Sequence, residues 1–147
     1  NADEKAILHL ARDEARAAGG NGDKPPHIIG QQDVFDARRA VLDMYLSDDL
    51  EQYLLEIVLA TRAPNAYGDD LAEWIEYGAS PRASIALDRC ARADAWLDGR
   101  DYVGPDDIQA IAPDVLRHRI ILNYEAVADG VTPDQFIGEL VNRIAVP

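Results

Sequence analysis

Lysine is almost absent from this 147-residue chain: Lys5 and Lys24 are its only two, and the rest of its 14 basic residues are arginines. Against 27 Asp and Glu they leave a formal net charge of −13. A surface that acidic repels phosphodiester backbones and anionic headgroups, which argues against generic nucleic-acid or membrane-surface binding and against a DNA-reading helix-turn-helix. Cysteine occurs once, at Cys90, so there is no internal disulfide framework and a reducing compartment suits the chain. The alanine-rich surroundings of Cys90 predict a small buried apolar side chain. Long apolar runs are missing too. Stretches such as Ile120–Leu122 fall far short of the roughly 20 residues of a membrane span. The opening NADEKAIL has no charged-then-apolar signal pattern, so a cytoplasmic protein is expected, and the lack of an initiator methionine points to an excised piece.

What the chain does have is helical periodicity with legible starts and stops. A first helix carries Ile7, Leu8, Leu10, Ala11 and Ala15 behind Asp3 and Glu4, and stops at Gly19-Gly20. GGNGDKPPHIIG, residues 19–30, reads as a linker. From Gln31 to Tyr45 the set Val34, Ala37, Val41, Leu42 and Tyr45 predicts a stripe facing a core. Ser47 caps a cleaner helix, with Asp48 and Asp49 at its positive end and Leu50, Tyr53, Leu54, Ile57, Val58 and Thr61 on one face; Pro64 stops it. A short helix is expected over Asp69–Ile75 and a long alanine-rich one over Ser80–Leu97, ending at Asp98-Gly99. VGPDDI and VTPDQF each place proline at a first helical position, and Thr132 with Gln135 forms a capping box. Pro113 is expected to break the segment from Pro105 to His118, while Asp101–Val103 and Arg119–Leu122 can pair as one short ribbon. A last helix covers roughly Pro133 to Ala145. The expected architecture is mainly all-α, a bundle of five to seven helices with at most one two-stranded ribbon.

The chemistry concentrates in WIEYGASPRASIALDRC, residues 74–90. Ser80 can cap the helix, and Pro81 fits a first turn because its missing N–H would be unpaired anyway. Arg82 then sits at the positive end of the helix dipole, disfavoured by about 0.3–1 kcal/mol at an exposed site. A bound anion reverses that sign. A phosphate oxygen meeting the guanidinium and the first-turn N–H groups gains about 1.5–3 kcal/mol. The competing explanation is an arginine paired with one of the many acids. Arg89, two turns on, shares the face and is either a second contact or a partner for Asp88 or Glu76. Gly78 suits a turn before the helix.

The stretch GASPRASIALDRCARADAWLDGRDYVGPDDIQAIAPDVLRHRI resembles the C-terminal lid of the MoxR family of AAA+ ATPases, whose sensor-2 signature is similar to Gly78–Ala83. The resemblance is strongest over residues 74–125 and extends over about 31–147. It implies that residues 1–18 are the last helix of a preceding α/β nucleotide-binding domain, 19–30 a linker and 31–147 the helical lid. It implies that Arg82 is the sensor-2 arginine, stabilising charge on the γ-phosphate of ATP, with Ser80, Pro81 and Arg89 beside it. ATP and Mg2+ would be held mainly by the core domain. Whether Arg82 serves its own subunit or a neighbour stays open. The parent would form a ring of six subunits and act as a chaperone that remodels or matures partners, among them proteins with von Willebrand factor A domains. His118, in the stretch similar to the family's LRHR, would have a structural or inter-subunit role.

The sequence contains no G-x-x-x-x-G-K-[ST] and no apolar strand ending in Asp-Glu, so the chain alone is expected not to hydrolyse ATP. His9, His27 and His118 have no metal-ligand spacing, and no metal site is expected. The acid pairs Asp48-Asp49, Asp69-Asp70 and Asp106-Asp107 are explained by capping. Trp74 and Trp96 suit a core or a domain contact. The alternative function is a non-enzymatic acidic helical module that binds a basic protein, with Arg82 merely paired on its surface.

Overall fold

The computed structural model describes residues 2–17 and 29–147. Most of the expected linker, residues 19–28, lies outside the described residues, as does His27. By packing, the chain divides into two units at Val34 and Phe35. Helix α1 spans Ala2–Ala17, and its Ile7, Leu8 and Leu10 are exposed. The division falls inside α2, Gln31–Asp43, which has no buried residue. The stripe expected to enter a core therefore stays outside it, with Val34 49% and Leu42 59% exposed. Tyr45 lies beyond the helix altogether. Its backbone is drawn into a parallel bridge with Tyr102, donating to the Asp101 carbonyl at 3.2 Å and accepting from Val103 at 2.9 Å, which is incompatible with continued helix. Met44, between them, is the residue that reaches the core.

Six further α-helices, a 3₁₀ turn and one ribbon follow α2 among the described residues. They are α3 (Asp48–Ala60), a 3₁₀ turn at Pro64–Ala66, α4 (Asp69–Trp74), β1 (Ile75–Tyr77), α5 (Arg82–Leu97), α6 (Pro105–Leu116), β2 (Ile121–Leu122), α7 (Tyr124–Ala128) and α8 (Pro133–Arg143). The start signals of α3 and α8 act as expected. Ser47 Oγ accepts from Leu50 N–H at 3.3 Å, and Thr132 exchanges hydrogen bonds of 3.2 and 2.8 Å with Gln135. Pro113 does not break α6. It forfeits one backbone bond in the last turn, and burial of Ala112, Val115 and Leu116 around it outweighs that loss.

The ribbon has a different partner from the one expected. Ile121–Leu122 pairs antiparallel with Ile75–Tyr77, not with residues 101–103, in the register Ile75 with Leu122 and Tyr77 with Ile121. Residues 101–103 are already engaged by Tyr45, whereas Ile75 leaves α4 extended and lies alongside residues 121–122. Asn123 seals the ribbon's end: its N–H donates to the Trp74 carbonyl at 2.8 Å, and its side chain caps α7 and donates to the Glu73 carbonyl.

Helix α5 lies at the centre of the bundle. Ala83, Leu87, Ala91 and Ala95, four apart, are all buried, and these small side chains let α6 approach closely. Ile57, Val58, Leu71, Ile108, Leu116, Phe136, Ile137 and Leu140 complete the core. No helix among the described residues is long and apolar enough to cross a membrane.

Candidate anion-binding site at the head of α5

The approach to α5 is fastened from below. Thr61 caps the C-terminal end of α3. Its fully buried hydroxyl donates to the Val58 carbonyl at 2.7 Å and accepts from the Ala79 N–H at 2.9 Å. Gly78 lies so close to α3 that a Cβ there would be 2.3 Å from the Thr61 carbonyl oxygen. Glycine is thus required by the close approach, since its φ is not in the left-handed region. Ala79 and Ala83 are both fully buried, and between them Ser80, Pro81 and Arg82 are exposed.

Ser80 does not act as the expected side-chain cap. Helix α5 begins at Arg82, and Pro81, in the position before it, is already helical at φ −56°. The turn closes instead through backbone, with Ala83 N–H donating to the Ser80 carbonyl at 2.8 Å and Ser84 N–H to the Pro81 carbonyl at 3.2 Å. Those two N–H groups are consequently engaged, and an anion would meet the guanidinium of Arg82 more than a fan of backbone donors.

Arg82 itself has neither a hydrogen bond nor an ion pair among the described residues, and Arg89 is likewise exposed without one. The partners suggested for Arg89 are not used: Asp88 pairs with Arg92 at 2.7 Å, and Arg92 also reaches the Met44 carbonyl. Arg62, beside Gly78, is exposed and likewise without an ion pair among the described residues, whereas other arginines of the bundle are clipped to acids. Arg100 holds Asp107 through two hydrogen bonds of 2.7 and 2.6 Å, Arg117 pairs with Asp114 and Asp134, and Arg143 grips Asp70 at 2.6 and 2.7 Å. The Arg100 guanidinium, with the Gly104 N–H, keeps the Asp107 carboxyl below the usual range, and Arg143 does the same for Asp70. Tyr67, bonded to Glu56, is pushed up to about 12.

Capping was therefore only part of what the acid pairs do. Asp107 does accept from the Gly104 N–H at 2.7 Å, but it also ties α6 to the preceding turn, and Asp70 ties α4 to α8. The sequence pattern places Thr61 on a helix face, and nothing local to residue 61 signals a partner 18 residues on. Cys90 is exposed, contrary to expectation: it falls one residue before the buried Ala91, on the outer side of α5. His118 is exposed just beyond α6. Trp74 packs partly against the core, whereas Trp96 stays 37% exposed on α5.

The chain is similar to known proteins over most of its length. Residues 70–140 match the family described as AAA lid domain. The chaperone MoxR1 of Mycobacterium tuberculosis is 37% identical over 130 residues, 86% of this chain and 34% of that protein. The protein MoxR of Methylorubrum extorquens is 45% identical over 62 residues, covering 41% of this chain and 18% of that one. A crystal structure of a putative ATPase from Cytophaga hutchinsonii superposes with a TM-score of 0.75 at 44% identity, over 79% of this chain and 36% of the other. The chain spans about a third of the length of the first two curated relatives. With the helical bundle, the small ribbon and these matches together, the chain belongs to the MoxR family of AAA+ proteins and carries its lid domain.

Proposed function

We propose that Arg82 is the sensor-2 arginine of a AAA+ ATPase, carried by this lid to the phosphates of ATP bound mainly by a core domain outside this chain. The observation that carries the proposal is an exposed guanidinium without an acidic partner, at the head of a helix whose approach is fastened through buried Ala79, in a chain of net charge −13. A polyphosphate fits such a group: it supplies the missing counter-charge and offsets the unfavourable placement of a cation at a helix start. ATP with Mg2+ would supply the phosphoryl chemistry. Arg82 would contribute positive charge where negative charge develops, and α5, rooted in the core through Ala83 and Leu87, would pass the loss of that contact to the rest of the lid. Ser80, Pro81 and Arg89 line the approach, with Arg89 one face-sharing step further along α5.

Residues 1–18 are then the final helix of the core domain, residues 19–30 the linker and 31–147 the lid. The parent works as a cytoplasmic chaperone-like ATPase in a ring of six subunits that remodels partners, including those with von Willebrand factor A domains. The chain by itself does not hydrolyse ATP.

The test is Arg82→Ala in the longer protein. ATP turnover should fall at least about tenfold, the equivalent of about 1.4 kcal/mol in the barrier, with the circular dichroism spectrum unchanged. Near-normal hydrolysis would refute the sensor role and leave the acidic interaction module standing.

A further inference from the structure

We infer that Thr61 is a positioning residue for Arg82, setting the place of the guanidinium through one buried hydroxyl; the inference rests on the sensor role proposed above. Thr61 Oγ1 supplies the one side-chain hydrogen bond to residues 78–82 found among the described residues. Its geometry fixes its direction. The hydroxyl's single hydrogen goes to the Val58 carbonyl, so a lone pair must face the Ala79 N–H. On the other side of the same contact Gly78 rests against the Thr61 carbonyl, where any Cβ would collide. The segment from Gly78 to Ala79 is thus pinned to the end of α3 by a directional bond and a steric stop.

From Ala79 the chain has little freedom before Arg82. Pro81 fixes its own φ, two short backbone hydrogen bonds close the turn, and Ala83 enters the core. Exposed Ser80, Pro81 and Arg82 form a short arch with buried feet at Ala79 and Ala83. The foot at Ala83 is held by apolar packing, which does not by itself impose one direction of approach. The foot at Ala79 is held by a hydrogen bond, which does. Loss of the hydroxyl leaves a buried N–H without an acceptor, so the loop must shift to find water, and Arg82 shifts with it.

The test is a double-mutant cycle on ATP turnover in the longer protein, with Thr61→Val, Thr61→Ser, Arg82→Ala and the Thr61→Val/Arg82→Ala pair. Valine keeps the shape and loses the hydroxyl; serine keeps the hydroxyl. Thr61→Val should reduce turnover at least about fivefold, dividing the loss between kcat and KM as Arg82→Ala does. Thr61→Ser should stay within about twofold of the parent, and the pair should be no worse than Arg82→Ala alone. Losses that multiply in the pair would overturn the inference, because Thr61 would then act on general stability and not through Arg82. Unimpaired Thr61→Val beside impaired Arg82→Ala would overturn it while sparing the sensor role. Unimpaired Arg82→Ala would sink both. Should Thr61→Val fail to fold, Gly78→Ala disturbs the same contact from the loop side, and the same cycle with Arg82→Ala decides by the same outcomes.

Discussion

Asp107 offers the sharpest test of how this lid is held together. Its carboxylate is 6% exposed and accepts three hydrogen bonds: 2.7 and 2.6 Å from Arg100, and 2.7 Å from the Gly104 N–H at the start of α6. Asp107→Ala removes all three. The Arg100 side chain is 28% exposed and keeps Asp98 at 3.0 Å, so water and Asp98 recover much of its half of the pair. The Gly104 N–H recovers less, since it loses the acceptor that starts the helix. With hydrogen bonds to charged groups at about 1.5–3 kcal/mol and the guanidinium side discounted, the cost is about 2–4 kcal/mol. That is a large share of the roughly 5–15 kcal/mol that holds a domain folded. Urea unfolding of both proteins followed by circular dichroism reads it directly. The pH dependence supplies the sign. Arg100 lowers the Asp107 pKa in the folded state, so the bonus is complete above the unfolded carboxylate value near 3.9 and is lost as pH falls through the folded value. The gap between parent and variant should therefore be constant from pH 7 to about 5 and close below about 4. A cost under about 0.5 kcal/mol at pH 7, or a gap that widens in acid, would refute the clip.

Tyr67 should titrate near pH 12, because ionising it forfeits the hydrogen bond its hydroxyl donates to Glu56 and places a second negative charge beside that carboxylate; an absorbance titration checks this, and Glu56→Gln should lower the Tyr67 value. The same raised value means that its contribution to stability is intact below about pH 10 and disappears as pH rises through about 12. Cys90 should react with a thiol reagent in the folded chain without denaturant, and reaction only after unfolding would contradict its outward position on α5.

Most helix starts needed nothing beyond neighbouring residues. Ser47, Asn123, Thr132, Pro105 and Pro133 act within one turn, and a cap is a contact between residues two or three apart, so its signal is written locally. The alanine spacing of α5 likewise announced a helix built for close packing. Local signals failed where a distant competitor existed. Residues 101–103 are as β-tolerant as 75–77, and it is Tyr45 that takes them out of the ribbon. Pro113 carries a helix-breaking signal that burial of the turn around it overrides. The apolar spacing of α2 was correct as spacing, yet it did not say what would cover the stripe, and among the described residues nothing buries it.

The amino-acid order by itself determined the helical class, the helix starts and the presence of a cation at residue 82 of an acidic chain, because each depends on residues within a turn or two of one another. Only the tertiary structure decided that this cation is free while Arg92, Arg100, Arg117 and Arg143 are bound, since pairing depends on which acids the fold brings within reach. It also decided that Thr61, 18 residues before Ala79, holds the loop that presents Arg82, a contact made by packing the end of α3 against Gly78 and Ala79.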